Sequence, residues 1–297
     1  MSEGNAHPYS WSSIINGFFD GNEINQVGYP GVTAYLNANQ DTVGIHGAEV
    51  THVWTQDKSM SASIAQSGRI PHIVDELSEM IPFVDAVILA RDDPENHVEM
   101  SRPFIEAGIP IFIDKPLAIN HEDLAWFVEQ EQNGSFIMSC SSMRYANECR
   151  ILKTDMSKLG KIELVTAVGK KDWKKYGVHL LEAIFALLDD PKTVSVQNVG
   201  STDKAIVHLE LENGIQVMVH IFQNISPTFQ LSVFGSDDWE KVEIKNSYSM
   251  FRDNIIEFIR SVQEGKSRLP FHKTENIIKT LIAAHESLGA GGKVIRL

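Results

Sequence analysis

The first half of the chain alternates short apolar segments with segments of helical periodicity. Residues 84–90, Val-Asp-Ala-Val-Ile-Leu-Ala, form the clearest apolar segment, and a predicted helix at 95–107 leads to a second apolar strand at 109–113. An almost continuous apolar run is typical of a strand that is covered on both faces, as in a parallel sheet. Pro103 lies within the predicted helix and is expected to kink it or end it early. The other elements predicted for this half are strands at 50–55 and 136–140 and helices at 10–17, 59–66 and 121–132, the last capped by Asn120. Repeated strand–helix units predict a doubly wound, Rossmann-like parallel sheet.

The second half has a different pattern, in which strands follow one another closely. Asn213-Gly214 separates two alternating segments and is a strong signal for a β-hairpin. The predicted strands lie at 161–169, 193–199, 204–212, 215–222, 229–235 and 240–245, and the predicted helices at 146–157, 176–188, 251–263 and 274–288. This pattern predicts an α+β domain with an open-faced, mostly antiparallel sheet. A length of 297 residues also favours two domains, and we predict a nucleotide-binding domain at 1–143 and a substrate-binding and oligomerisation domain at 144–297.

Composition excludes several classes of protein. Lysine and arginine number 26 and aspartate and glutamate 39, so the net charge is −13 and nucleic acid is not an expected partner. No apolar segment approaches the roughly 20 residues of a membrane helix, and the N-terminal sequence lacks the pattern of a secretory signal. The two cysteines form no CxxC motif, which favours a reducing, cytoplasmic location. The 11 histidines show no zinc-like spacing, so no metal is expected.

Polar residues follow the predicted strands at the edge where a doubly wound sheet binds its ligands. The segments are Thr55-Gln56-Asp57, then Arg91 to His97, and finally Asp114-Lys115-Pro116. A lysine near a bound cofactor and partly removed from water can shuttle protons, which is one interpretation of Lys115. The alternative is a solvated lysine at a turn.

The apolar helix at 176–188 carries two polar side chains on one face. His179 and Glu182 are three residues apart, and a histidine in this position can serve as an acid or base. The alternative is a core histidine whose hydrogen bonds are satisfied by Glu182 or a carbonyl. The preceding basic segment 170–175, Lys-Lys-Asp-Trp-Lys-Lys, is either solvated or lines the mouth of a pocket. In the second case Lys174 or Lys175 would hold an anionic or polyhydroxylated substrate.

These features occur together in a recognisable order. The segment 84–118, VDAVILARDDPENHVEMSRPFIEAGIPIFIDKPLA, resembles the core of the glucose-fructose oxidoreductase / inositol dehydrogenase / MocA-like family, with His97, Gly108 and Asp114-Lys115-Pro116 at the expected spacing. Further matches are GAEVTHVW at 47–54 as the second strand, Arg144-Tyr145 at the domain junction and Gly177-Val178-His179 in the substrate-domain helix. The resemblance covers most of the chain and is most specific in its central segment.

The resemblance implies a nucleotide-binding domain followed by an open-faced sheet domain, with the active site between them. It implies that Lys115 takes part in proton relay and that His179 accepts the proton of a substrate hydroxyl as hydride leaves for NAD or NADP. The residues that we expect at the cofactor are Gly4, Asn5, His7, Ser10, Thr55, Asp57, Ala90, Arg91, Asp92, His97, Asp114, Lys115 and Arg144. Those expected at a small-molecule substrate are Lys115, Asp172, Lys175 and His179. A homodimer or homotetramer formed through the second-domain sheet is also implied.

The chain departs from the family pattern in three places. The segment from Met1 to Pro8 looks like the phosphate loop with only Gly4, and no strand precedes it, so either the start is truncated or the sheet lacks its central strand. Pyrophosphate would then lie at the N-terminus of the helix that starts near Ser10. Thr55 stands where the family has an acid that binds ribose, and Asp57 is its possible substitute, which leaves NAD and NADP open. Lys175 stands where many relatives have aspartate, so Asp172 or Glu182 would orient His179 instead.

Three hypotheses follow from the sequence. The leading one is an NAD(P)-dependent oxidoreductase that acts on the hydroxyl or carbonyl carbon of a sugar, cyclitol or related molecule. The second is a catalytically impaired or truncated family member that serves as a nucleotide-binding or assembly protein. The third, a metalloenzyme that uses histidines of both domains, is disfavoured because no local pair of metal ligands occurs.

Overall fold

Contacts divide the chain into two compact units, each of which is built from several separate segments of the sequence. The structure, a computed structural model, describes residues 5–297. The described part of the first unit comprises residues 5–114, 129–138 and 251–268, and the second unit comprises 115–128, 139–250 and 269–297. The predicted domains at 1–143 and 144–297 stay a prediction, and the contact units differ from them because residues 251–268 belong with the first unit.

Helices and strands alternate first and strands dominate later. The helices are α1 (His7–Asn16), α2 (Gly21–Gln26), α3 (Pro30–Ala38), α4 (Lys58–Gly68), α5 (His97–Glu106), α6 (His121–Gln132), α7 (Asn147–Asp155), α8 (Trp173–Leu187), α9 (Ser247–Glu264) and α10 (Phe271–Gly289). The strands are β1 (His52–Val53), β2 (His72–Ile73), β3 (Val87–Leu89), β4 (Ile111–Ile113), β5 (Ile137–Met138), β6 (Ile162–Lys170), β7 (Thr193–Asn198), β8 (Lys204–Leu211), β9 (Gln216–Phe222), β10 (Phe229–Gly235), β11 (Trp239–Glu243) and β12 (Ile295–Arg296). No helix between residues 5 and 297 is long and apolar enough to cross a bilayer.

All strand pairs of the first unit are parallel, as predicted. They form two separate sheets, β1–β2 and β3–β4–β5, and no strand joins β1 to β3 among the described residues. All four strands predicted for this half are shorter than predicted, since the segment 50–55 forms only β1, 84–90 only β3, 109–113 only β4 and 136–140 only β5.

Aromatic residues fill the core of the first unit. The ring of Phe112 in β4 lies 5.8 Å from Trp11 of α1 and 5.6 Å from Phe258 of α9 between centroids. Trp11 and Phe258 are almost completely buried. The late segment 251–268 therefore supplies part of the core of a unit that begins near the N-terminus.

Of the two alternatives predicted for Pro103, that it kinks its helix or ends it early, the second is wrong. α5 continues through Pro103 to Glu106, and Gly108 follows with a φ of +72°. Proline removes only its own N–H bond, so residues after it still bond backwards, as the Ala107 N–H does to the Pro103 carbonyl at 3.2 Å. The predicted cap of α6 is present, since Asn120 Oδ1 accepts the Asp123 N–H at 2.8 Å.

The second unit is built on a seven-stranded sheet. Its order is β11-β10-β6-β9-β8-β7-β12, and every neighbouring pair is antiparallel except β6–β9. The predicted hairpin joins β8 to β9, with Gly214 at a φ of +85°. Alternate side chains are buried on one face, where α8 packs against β6 and β9 and α10 packs against β7. The predicted mostly antiparallel sheet is confirmed.

Candidate functional site

The start of α1 is fixed beside the end of β3. Asn5 is buried, its Nδ2 donates to the Ala90 carbonyl at 3.0 Å, and its Oδ1 accepts the His7 N–H at 2.8 Å. Ser10, also expected at the cofactor, is buried and accepts a hydrogen bond from the Tyr35 hydroxyl. Gly4 lies outside the described residues. The structure thus brings Asn5, His7 and Ala90 together, as expected for one side of a cofactor site.

The loop after β4 is attached to the same place. Asp114 is 1% exposed, and its carboxylate lies 2.6 Å from His7 Nδ1. The His7 ring stacks on Trp11, with centroids 4.5 Å apart and ring planes 13° apart. Two residues expected to contact the cofactor are therefore partners of each other at the N-terminus of α1.

The first turn of α1 offers few free donors of its own. It has no acidic residue, but the His7 N–H bonds to Asn5 Oδ1, Pro8 has no N–H and the Ser10 N–H bonds to the Ala6 carbonyl, which leaves at most the Tyr9 N–H. Arg91 is buried, and its Nη1 has no hydrogen-bond partner within residues 5–297. A buried donor without an acceptor is costly, so an anionic acceptor would relieve it. These residues fit the phosphates of a nucleotide.

The loop between β3 and α5 is held by internal bonds. Arg91 forms an ion pair with Asp93, and its Nε donates to Asp93 Oδ1 at 2.8 Å. Burial alone would raise the pKa of Asp93, but the bonds and charge of Arg91 outweigh burial and hold the pKa below its usual value. His97 is completely buried, with its Nε2 3.1 Å from the Arg91 carbonyl, and Asp92 is partly buried in the same loop.

Thr55 and Asp57 organise the turn between β1 and α4. Thr55 is buried and bonds to the Asp57 carbonyl at 2.6 Å and to Ser61. Asp57 caps α4, since its Oδ1 accepts both the N–H and the hydroxyl of Ser59. These bonds lower the pKa of Asp57, with the Ser59 hydroxyl as the first cause. The carboxylate is exposed and charged at neutral pH, as a ribose ligand must be.

The second unit brings Lys115 and His179 to the same aromatic ring. Lys115 is buried, and its Nζ lies 5.4 Å from the ring centroid of Tyr176. The Tyr176 centroid is in turn 5.2 Å from that of His179, and Phe229 lies against both rings. The peptide bond between Lys115 and Pro116 is cis. The two residues expected to transfer protons thus flank one side chain, although Lys115 groups with the second unit and not with the predicted nucleotide-binding domain.

Ser141 is the residue that contacts the His179 ring through a hydrogen bond. Its Oγ lies 2.6 Å from His179 Nδ1 and also accepts the Met143 N–H. The two carboxylates expected to orient His179 have other partners. Asp172 caps α8 by accepting the Lys175 N–H at 2.9 Å, and Glu182 accepts from Arg144 and from the Ser141 N–H.

Arg144 belongs to a buried cluster of charges. Its guanidinium bonds to Glu182 at 2.6 Å and to Asp190 at 2.7 Å, and Lys273 also reaches Asp190. Complete burial raises the pKa of Glu182 despite the attraction of Arg144. Burial would also raise the pKa of Asp190, but Arg144 and Lys273 outweigh it and lower that pKa. The cluster joins the segment that carries Ser141 to the helix that carries His179, and the expected contact of Arg144 with a cofactor stays a prediction.

The basic segment 170–175 leads into α8. Lys171 Nζ bonds to the Tyr176 hydroxyl, and Lys175 lies in the first turn of α8, four residues before His179 and on the same face. The expected substrate contacts of Asp172 and Lys175 stay predictions. Between residues 5 and 297, no three histidine, cysteine, aspartate or glutamate side chains are grouped to hold a metal ion.

Sequence reasoning missed Ser141 and Tyr176. Tyr176 precedes His179 by three residues on a helix, so helical spacing could have indicated it. Ser141 is 38 residues from its partner, and no local pattern connects the two positions.

Comparisons with known proteins match the family and the fold. Residues 25–139 match the family model GFO_IDH_MocA, described as an oxidoreductase family with an NAD-binding Rossmann fold. Inositol 2-dehydrogenase 2 of Saccharopolyspora erythraea is 26% identical over 211 residues, which are 62% of this chain and 61% of that relative, so the match spans less than two thirds of its length. The structure also resembles the myo-inositol dehydrogenase of Lactobacillus casei in complex with NAD(H) and myo-inositol, with a TM-score of 0.73 and 17% identity over 85% of this chain and 90% of that one. The myo-inositol 2-dehydrogenase of Lactobacillus plantarum gives a TM-score of 0.73 and 16% identity over 85% and 93%.

The two-unit architecture and the family comparison thus agree. At the level of the family, the prediction of a nicotinamide cofactor is also confirmed, because the matching model is that of an NAD-binding fold. The resemblance to the glucose-fructose oxidoreductase / inositol dehydrogenase / MocA-like family is confirmed, since residues 25–139 match its model of an NAD-binding Rossmann fold.

Proposed function

We propose that this chain is an NAD-dependent dehydrogenase that interconverts a hydroxyl and a carbonyl group on a cyclitol or sugar. The observation that carries the proposal is the grouping of Lys115 and His179 around Tyr176, with His179 bonded to Ser141. A solvated lysine at a turn would not be buried against the tyrosine ring that also contacts His179. Relatives named as inositol dehydrogenases support a cyclitol as the substrate class.

The first unit would hold the nucleotide. The N-terminus of α1 and the buried Arg91 suit its phosphates, while Asn5 and the pair of His7 and Asp114 fix the segments around it. When bound, NAD supplies the carbon that accepts the hydride from the substrate. In the oxidation, an alcohol and NAD⁺ give a carbonyl, NADH and one proton.

His179 takes that proton. For Nε2 to act as the base, Nδ1 must carry the hydrogen of the neutral ring and donate it to Ser141 Oγ, which lies 2.6 Å away. The Lys115 ammonium donates a hydrogen bond to the reacting oxygen and stabilises the negative charge that develops there. The rings of Tyr176 and Phe229 form an apolar wall beside His179, which limits the access of water to the base.

The hydrogen bond between Ser141 and His179 can be tested directly by substitution of Ser141. Ser141→Ala should lower kcat about tenfold, equal to about 1.4 kcal/mol of transition-state stabilisation, because the His179 ring loses the hydrogen bond from its Nδ1 to Ser141. Ser141→Thr keeps the hydroxyl and should restore most of the rate. Steady-state kinetics with NAD and myo-inositol, together with the melting temperature of both variants, separates this effect from a loss of folding. An alanine variant with the kcat of the parent chain contradicts the positioning role.

The cofactor is NAD rather than NADP in this proposal. Asp57 presents an exposed carboxylate near the position where the family binds ribose, and a 2′-phosphate would be repelled by it. We expect NADH to bind about tenfold or more tightly than NADPH. Asp57→Asn retains an amide oxygen that caps α4 but removes the charge, so it should reduce the preference. Fluorescence titrations with NADH and NADPH measure the ratio of their dissociation constants. If this ratio is the same in Asp57→Asn as in the parent chain, Asp57 is not the source of the preference for NADH.

A single set of measurements tests the activity as a whole. NADH fluorescence titration establishes binding, and the production of NADH from NAD with a series of cyclitols and aldoses establishes turnover. Turnover with any polyol supports the dehydrogenase. Tight binding of NADH without turnover on any of them favours the alternative of a nucleotide-binding protein that has lost its reaction, for which the Lys175 position provides a reason.

Self-association through the seven-stranded sheet belongs to the same proposal. Trp239 on β11 is 58% exposed and stacks on Phe234 with centroids 5.9 Å apart, which leaves a large apolar surface at the sheet edge. We expect the chain to sediment as a dimer or tetramer in sedimentation velocity. Trp239→Glu should shift the equilibrium between oligomer and monomer toward the monomer. A parent chain that sediments as a monomer at all concentrations contradicts this assembly.

A further inference from the structure

The turn between β6 and α8 places a lysine in a backbone conformation that residues with a Cβ seldom adopt. Lys171 has a φ of +87°, in a region where glycine is the usual residue. Its N–H donates to the Phe222 carbonyl of β9 at 3.1 Å, which fixes the turn against the sheet. Strained backbone positions are concentrated at functional sites, so the conformation of this turn points to a role for the Lys171 side chain.

The Lys171 side chain ends at the ring of Tyr176. Its Nζ lies 4.3 Å from the ring centroid and donates a hydrogen bond to the Tyr176 hydroxyl. An ammonium has three N–H donors, so two remain for a ligand. Between residues 5 and 297 the Tyr176 hydroxyl has no second hydrogen-bond partner, and its own O–H can donate as well. Lys171 and Tyr176 therefore offer donors, which suits a ligand that is rich in acceptors.

Positive charge accumulates around this ring. Lys115 Nζ lies 5.4 Å from the same centroid, so two ammonium groups share Tyr176. Lys171 forms no ion pair with a carboxylate of the described residues, and the adjacent Asp172 uses its Oδ1 to cap α8. Like charges that lie beside one ring repel each other, and a bound anion would reduce that repulsion.

The segment 170–175 adds to this charge. It contains four lysines and one aspartate, although the whole chain has a net charge of −13. Lys175 lies in the first turn of α8 and has no ion-pair partner in the described part of the chain. A negatively charged protein repels anions at long range, so a local group of lysines is needed to attract one. The charge distribution thus favours an anionic ligand at this place.

The same ring connects Lys171 to the proposed base. The His179 ring centroid is 5.2 Å from the Tyr176 centroid, and Lys171 Nζ is 4.3 Å from it. A molecule of the size of a monosaccharide can therefore reach the imidazole with a hydroxyl and the ammonium with a substituent. Phe229 lies against the rings of Tyr176 and His179 and supplies an apolar surface for the carbon skeleton.

We propose that the substrate is a polyol that carries a negatively charged group, a phosphate ester or a carboxylate, and that Lys171 binds this group beside Tyr176. The inference rests on the proposed dehydrogenase function and names the substrate class of that site. Lysine acts as a point charge, which suits phosphate, whereas a planar carboxylate matches the fork of an arginine. We therefore expect phosphorylated polyols to bind more tightly than carboxylated ones.

The first test measures binding to the full chain by calorimetry, with and without NADH. One series of probes is glucose, glucose 6-phosphate and glucuronate, and the other is myo-inositol and its monophosphate. The phosphorylated probe of at least one series should bind about tenfold or more tightly than the neutral probe. Its affinity should fall as the salt concentration rises, because the binding groups are partly exposed charges.

The second test replaces the lysine. Lys171→Gly removes the ammonium and suits the positive φ, so it should not lower the melting temperature. It should raise KM for the phosphorylated substrate about tenfold or more and change kcat by about twofold or less, because the charged group is remote from the reacting carbon. Lys171→Arg keeps the charge and should retain most of the affinity. Lys279→Ala removes an exposed lysine paired with Glu275 and is the control for the change in net charge.

Two results would overturn the anionic substrate. One is equal affinity for neutral and charged probes in both series, and the other is anion binding that Lys171→Gly leaves unchanged. Tighter binding of glucuronate than of glucose 6-phosphate supports the proposal with a carboxylate as the charged group.

The two proposals for this site fail separately. Anion binding that depends on Lys171, without oxidation of any polyol, contradicts the dehydrogenase and leaves the anion site intact. Oxidation of neutral polyols without any preference for charged ones contradicts the anion site and leaves the dehydrogenase intact.

Discussion

His179→Ala and Lys115→Ala should each lower kcat for polyol oxidation by about 10²–10⁴-fold, the range that general acid–base groups contribute. His179 accepts the hydroxyl proton and Lys115 stabilises the reacting oxygen. Each alanine substitution therefore removes a group that is needed in the transition state. In the proposal both side chains act on the reacting oxygen of the substrate, so we expect the dissociation constant for NADH to change by about twofold or less.

Matched controls exist in the same unit. His121→Ala removes an exposed histidine that pairs with Glu286, and Lys279→Ala removes an exposed lysine that pairs with Glu275. Both control variants should retain the kcat of the parent chain. The roles assigned to Lys115 and His179 are excluded if their alanine variants turn over substrate as fast as these controls do.

The second large effect concerns stability. Arg144→Ala should lower the free energy of unfolding by about 3–5 kcal/mol, since it leaves Glu182 and Asp190 buried without their main counter-charge. Urea denaturation followed by circular dichroism measures this loss. Arg268→Ala is the control, because Arg268 also bonds two carboxylates but is 41% exposed, and such pairs contribute about 0–1 kcal/mol.

The comparison of the two arginine variants decides the role of the buried cluster. Similar denaturation midpoints for both variants would mean that the buried cluster contributes no more to the free energy of unfolding than a surface network of ion pairs does. We expect instead that Arg144→Ala also lowers kcat, since the segment of Ser141 and the helix of His179 are joined through Glu182.

The sequence was most informative where one residue type stood in unusual surroundings. Lys115 after a buried strand and His179 in an apolar helix were both selected as candidates, because a charged or titratable group is conspicuous there, and the structure places both against Tyr176. Ser141 was not, since its partner is distant in sequence and a serine after a strand is ordinary. The structure also shows that Asp172 caps α8, which is a frequent role of aspartate at this position, while its predicted contact with the substrate stays a prediction.

Fold class was predictable for a similar reason. Apolar segments and the Asn-Gly turn are local signals, and they predicted parallel strands in the first unit and a mostly antiparallel sheet in the second. The membership of α9 was not predictable, because an amphipathic pattern shows that a helix buries one face without showing which core receives it. The lengths of β1 and β3 also depend on neighbours that local patterns do not describe.

The place of residues 251–268 in the first unit has a consequence for biosynthesis. Phe112 and Phe258 pack together although 146 residues separate them, so the nucleotide-binding core lacks one wall until most of the chain has been translated. At about 5–20 residues per second, this interval lasts about 7–30 s. The nascent chain therefore carries an exposed aromatic surface on the ribosome for that time, and its yield in cells should depend on chaperones that act during translation.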